Sequence, residues 1–154
     1  MSSYASGTSV PAERSRAELE KILQKYGATS FGYIWEHGPD ADRYQQVIAF
    51  QVGGRSIRMA IPMPARDDPK FTLTPTRQRR GTAQAQQAYE QEVRRRWRSL
   101  VMVIKAKLVA IEDGISTIDR EFLSDIVTND GRTVGDIMRP HLESGGPLAL
   151  TMER

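Results

Sequence analysis

The stretch Arg43-Tyr-Gln-Gln-Val-Ile-Ala-Phe-Gln-Val-Gly-Gly-Arg-Ser-Ile-Arg-Met-Ala-Ile61 decides the fold class. On both sides of Gly53-Gly54 its apolar residues recur every second position, the period of a strand whose successive side chains point to opposite faces. Two adjacent glycines make a two-residue turn, because both central positions can take positive φ without a Cβ clash. With Val52 paired to Arg55 across that turn, Phe50 falls opposite Ile57 and Ile48 opposite Met59, giving one continuous apolar face. The other face carries Gln45, Val47, Ala49, Gln51, Ser56, Arg58 and Ala60, and reads either as a solvated sheet surface or as a second contact surface.

Upstream, Thr29 to Glu36 repeats the alternation, with Phe31, Tyr33 and Trp35 on one face and Ser30, Gly32 and Ile34 on the other. The polar turn His37 to Asp42 joins it to the hairpin, so a three-stranded antiparallel sheet is expected. Pro11 to Tyr26 reads as a helix: Pro11 suits a first helical position, Ala17, Leu19, Ile22, Leu23 and Tyr26 recur at helical spacing, and Gly27 ends it. Residues 1–10 are small and polar and read as a flexible N-terminus.

Downstream, Pro62, Pro64, Pro69 and Pro75 block regular structure, so 62–81 reads as a mobile basic loop, with Phe71 to Thr74 as a short edge strand. From Tyr89 to Asp113 the period changes: Tyr89, Val93, Trp97, Leu100, Ile104, Leu108 and Ile111 form one stripe of a long amphipathic helix. Two short C-terminal helices follow. Ser116-Thr-Ile-Asp119 resembles a capping box before Arg120 to Val127, with Phe122, Leu123, Ile126 and Val127 as its buried side. Thr133-Val-Gly-Asp136 repeats the pattern before Ile137 and Met138, and residues 144–154 read as a tail. The order is that of an α+β fold in a single domain over 11–143.

Charge is unevenly placed. From Arg77 to Lys107 there are nine basic residues against the two acids Glu90 and Glu92, a local charge of +7 in a chain whose net charge is +3. The rest of the chain therefore sums to −4, and such asymmetry points to an anionic partner. Turned at about 100° per residue, Arg94, Arg98 and Lys105 fall together opposite Leu100, with Arg95 further round. Guanidinium forks grip phosphate bidentately and stack on bases, where an ammonium acts as a hydrated point charge. The expected nucleic-acid contacts are Arg77, Arg79, Arg80, Arg94, Arg95 and Arg98, with Lys105 and Arg58 outside them. Val101, Met102 and Val103 widen the apolar surface of the same helix, so it is also expected to meet a second copy or another protein.

With 154 residues, no cysteine and 39% hydrophobic content, the chain is the size and composition of one globular domain without disulfides or thiolate metal sites. Residues 1–10 lack the apolar core of a secretory signal, and Leu100 to Ile104 is far short of a membrane span. A cytoplasmic protein, with no membrane partner, is expected. His37 and His141 stand apart as loop or helix-end residues, and no phosphate-loop, dinucleotide, zinc-protease or nucleophile-elbow motif occurs. Asp40 with Asp42, Asp67-Asp68 and Glu112-Asp113 each sit at a turn or helix end. A non-catalytic protein without cofactor or metal is the expectation.

Taken together, Arg14 to Leu23 with Tyr26 to Phe31, Gln91 to Leu100 with Ile104 to Leu108, and Asp130-Gly-Arg-Thr-Val134 resemble an uncharacterised family of small bacteriophage and prophage proteins. The resemblance covers about residues 12–140. It implies a setting in phage DNA metabolism or interference with a host process, in the host cytoplasm, and carries no active site. Double-stranded-RNA-binding domains share the helix, three strands, helix order, and single-strand annealing proteins also pair a hairpin sheet with a long helix. The reading is therefore a non-catalytic nucleic-acid-binding protein, with DNA ahead of RNA, active in single-strand binding or annealing as a homo-oligomer. The alternative is an adaptor or inhibitor that binds a host protein through the long helix.

Overall fold

A computed structural model describes residues 3–37 and 44–145. In chain order these form α1 (Ser3–Lys25), β1 (Ser30–His37), β2 (Tyr44–Val52), β3 (Arg55–Pro62), α2 (Pro69–Thr72), α3 (Thr82–Glu112), α4 (Ile118–Glu121), a 3-10 turn (Leu123–Asp125) and α5 (Val134–Ser144). The fold is α+β, with a three-stranded antiparallel sheet in the order β1-β2-β3. The hairpin register is the one its alternation dictates: Val52 pairs with Arg55, Phe50 with Ile57 and Ile48 with Met59. Phe31 stands beside Phe50 and Tyr33 beside Ile48, so β1 adds its aromatic face to the same side.

The turn is held from outside. Gly53 and Gly54 have φ of 55° and 75°, and a Cβ on Gly53 would collide with the Ile118 side chain of α4 packed over it. Arg55 at the same turn makes a two-pronged ion pair with Asp119, at 2.8 and 2.9 Å.

α1 and α3 pack against each other and share one core with the apolar face of the sheet. From α1 come Ala12, Leu19 and Leu23, and from α3 come Tyr89, Val93, Trp97, Val101, Ile104 and Leu108. At the centre, Trp97 is wholly buried and its indole N–H donates to Gln46 Oε1 at 2.6 Å. The Tyr33 hydroxyl donates to the same oxygen at 3.3 Å, and the Tyr33 and Trp97 rings stand 5.7 Å apart. A buried amide inside an apolar core costs free energy unless its polar atoms find partners. Here the carbonyl is satisfied twice and the buried Gln46 Nε2 has no partner among the described residues.

Several boundaries depart from the sequence expectation. α1 is helical from Ser3, so part of 1–10 extends the helix across Pro11; the small residues there carry no apolar period that marks it. Ala17 is exposed, and the buried row of α1 runs through Ala12, Ser15, Leu19 and Leu23 instead. α3 starts seven residues before Tyr89, over a run rich in Ala and Gln that forms helix without an apolar stripe.

Residues 62–81 are not structureless. Asp68 accepts the Lys70 N–H and caps α2 with Pro69 at its start, and Phe71 is buried against Tyr89. Of the strand expected at Phe71 to Thr74, Phe71 and Thr72 are instead the end of α2, while Leu73 is extended. Leu73 then bridges Arg79, with Thr74 N–H donating to Gln78 O at 2.8 Å. α4 is a single turn capped by Thr117, one residue after the expected Ser116. Phe122 is buried, Leu123 is exposed, and Ile126-Val127 leaves the helix to pair with β3 at Ile57. Thr133 caps α5 by accepting the Asp136 N–H.

Candidate nucleic-acid interface

Two cation-lined grooves flank α2 and the first half of α3. The first, about 560 Å³, is formed by Arg66, Thr72, Arg79, Arg80, Gln86 and Tyr89 with neighbouring residues of the same loop and helix, and no acid among the described residues lines it. Arg66 is held in place: its guanidinium lies 4.4 Å over the Tyr89 ring and donates to Gln86 Oε1 at 2.7 Å. Arg80 is tethered through its backbone to Thr72 O at 2.7 Å, and its side chain reaches the Phe71 carbonyl. Between them the chain reverses through Arg77, whose φ of 63° is unusual for a residue with a side chain. That reversal turns Arg79 back toward α3.

The second groove, about 590 Å³, is lined by Lys70, Phe71, Gln91, Glu92, Arg94, Arg95 and Arg98 among others. Glu92 is its single acid among the described residues. It binds Arg95 through both carboxylate oxygens at 2.7 and 2.8 Å, accepts from Arg96 at 3.1 Å, and faces Lys70 at 3.7 Å. The Arg95 hydrogen bonds first, with Arg96 and Lys70 adding to them, hold the Glu92 carboxyl at about 2 from its ordinary 4.5. Arg96 also donates to the Pro62 carbonyl, which ties α3 to the end of β3. Arg94 faces Glu90 at 3.9 Å.

The two grooves place the expected residues as follows. Arg79 and Arg80 share the first, Arg94, Arg95 and Arg98 share the second, and Arg77 stands exposed at the turn between Thr74 and Gln78. Lys105 lies outside both, further along α3 and exposed. Arg58 lies on the opposite face of the sheet with Val47 and Ala60, in a third hollow bounded by Asp125 and Asp136, and does not join the others. Arg66 and Lys70 are the cations that sequence reasoning missed. Asp68-Pro69 is a helix-start signature, and it could have shown that Lys70 is presented from a short helix.

Of the acid pairs, Asp68 caps α2 through its side chain, Asp113 ends α3 with its backbone N–H donating to Val109 O, and Asp40 and Asp42 lie outside the described residues. Among the described residues no helix is long and apolar enough to cross a membrane. No known protein family, curated protein or solved structure matches this chain. The functional reading rests on the grooves.

Proposed function

We propose that this chain is a non-catalytic nucleic-acid-binding protein that follows a sugar-phosphate backbone across the two grooves, with single-strand binding or annealing as its working form and phage DNA metabolism as its setting. The observation that carries the reading is the lining: Arg66, Arg79 and Arg80 on one side of α2 and Lys70, Arg94, Arg95 and Arg98 on the other, with Glu92 the one acid among the described residues that lines either groove and Glu90 facing Arg94 from outside the lining. A polyanion releases counterions on meeting such a surface, so affinity falls steeply with salt. Tyr89 and Phe71 are core residues here, which leaves backbone contact rather than base stacking as the source of affinity.

The test is fluorescence anisotropy with labelled single-stranded DNA, duplex DNA and RNA over a salt series. The native chain should bind, and replacing Arg77, Arg79 and Arg80 together by Ala should weaken binding while the circular dichroism stays native. Absence of binding, or binding indifferent to salt, overturns the reading. One observation favours a protein partner as well: Met102 is 71% and Val103 47% exposed on α3. A host protein captured from nuclease-treated lysate, and lost on Met102→Lys, would support the adaptor alternative.

A further inference from the structure

The outward face of α3 is patterned in a way that a generic solvated helix does not require. Met102, Ala106 and Val109 form an apolar row, with Met102 71% and Val109 37% exposed. At about 100° per residue, Arg98 and Asp113 fall on that same face, within an arc of roughly 80°. Arg98 ends the row on its N-terminal side and Asp113 on its C-terminal side, and both are exposed. Neither has a side-chain ion pair among the described residues.

This order is self-complementary when reversed. A parallel pair would set Arg98 on Arg98 and Asp113 on Asp113. An antiparallel pair centred between Lys105 and Ala106 sets Arg98 of each copy against Asp113 of the other, with Glu112 beside it, and sets Met102 against Val109. We propose that α3 forms a two-fold antiparallel seam with a second copy of this chain. Such an isologous contact repeats every interaction twice, so two opposite-charge pairs bracket four large apolar side chains. The small Ala106 lets the helix axes approach to about 8–10 Å. The Lys105 stems flank the centre while their ammoniums reach water, as long cationic side chains do. An unrelated partner would require neither the end-to-end charge reversal nor the matched spacing of Met102 and Val109.

The seam deepens the oligomeric part of the function proposed above but does not rest on nucleic-acid binding. In the assembled pair Arg98, counted above among the cations of the second groove, makes the dimer contact, which leaves Lys70, Arg94 and Arg95 to that groove. The experiment is molar mass by sedimentation, without nucleic acid, over roughly 1 to 200 μM for the native chain, Arg98→Asp, Asp113→Arg and the double exchange. The expected result is a native dimer, dissociation constants at least about tenfold weaker for each single exchange, and recovery to within about threefold of native for the double. Met102→Lys should be monomeric with a native circular-dichroism spectrum. A native chain that is monomeric throughout, single exchanges that dimerise as the native chain does, or a double exchange that fails to recover each overturns the seam. A dimer of the expected pattern that binds no nucleic acid upholds the seam and removes the function reading alone.

Discussion

Trp97, Gln46 and Glu92 each show a polar group fixed by its neighbours. Trp97→Phe keeps most of the ring volume but removes the donor to Gln46 Oε1, leaving that carbonyl with only the longer Tyr33 bond. Unfolding in urea should show a loss of roughly 1–3 kcal/mol, and an unchanged midpoint would mean that the Trp97 bond contributes nothing. Glu92 is stabilising while ionised. Its folded value of about 2 lies below its ordinary 4.5, so its contribution is present above the ordinary value and is lost as pH falls toward the folded one. Discounted for the solvent around Arg95 and Lys70, that contribution is about 1 kcal/mol. Glu92→Gln should lower the Tm at neutral pH, with the difference from native closing as pH drops from about 5 toward 2. The same variant should bind single-stranded DNA more tightly, because Arg95, Arg96 and Lys70 lose their shared counter-charge.

At the scale of elements, α2 is small and consequential. Its one buried side chain, Phe71, packs edge-on against Tyr89 with ring centroids 5.7 Å apart, and the turn separates the two grooves. Phe71→Ala should cost about 3–5 kcal/mol and weaken nucleic-acid binding beyond what any single arginine replacement does; anisotropy under conditions where the variant remains folded checks this. The hairpin was legible because a period of two and a Gly-Gly turn allow one register. α2 was hidden by the prolines in and around it, Pro62, Pro64, Pro69 and Pro75, although Asp68-Pro69 marks a cap. Ile126-Val127 reads as the end of a helix because a short apolar run has no period of its own; only its distant partner Ile57 makes it extended. Charge identity along 77–98 was visible in sequence. Which of those charges are neutralised was not, since the Glu92 cluster depends on Lys70 arriving from α2 and on the exact spacing along α3.

For the whole molecule, counterion release sets how steeply affinity falls with salt. If the two grooves engage a backbone together, each Lys or Arg that meets a phosphate adds roughly 0.7 to the slope of log affinity against log salt for single strands, and about 0.9 for duplex DNA. Replacing Arg79 and Arg80 should reduce that slope by about 1–2 units. Arg58→Ala should leave it unchanged, since Arg58 lies across the sheet from both grooves. The bridge between Ile57 and Ile126 bears on another property of the molecule, the order in which it folds. The hairpin and α3 are built from near neighbours, but this pairing closes the chain around α2, α3 and α4 and must wait for them, because long closures form late when their entropy cost precedes their contacts. Truncating Ile126 to Ala should therefore speed unfolding in a chevron experiment and leave the refolding arm nearly unmoved. The C-terminal segment then acts as a latch, setting how long the native protein lasts rather than how fast it is reached.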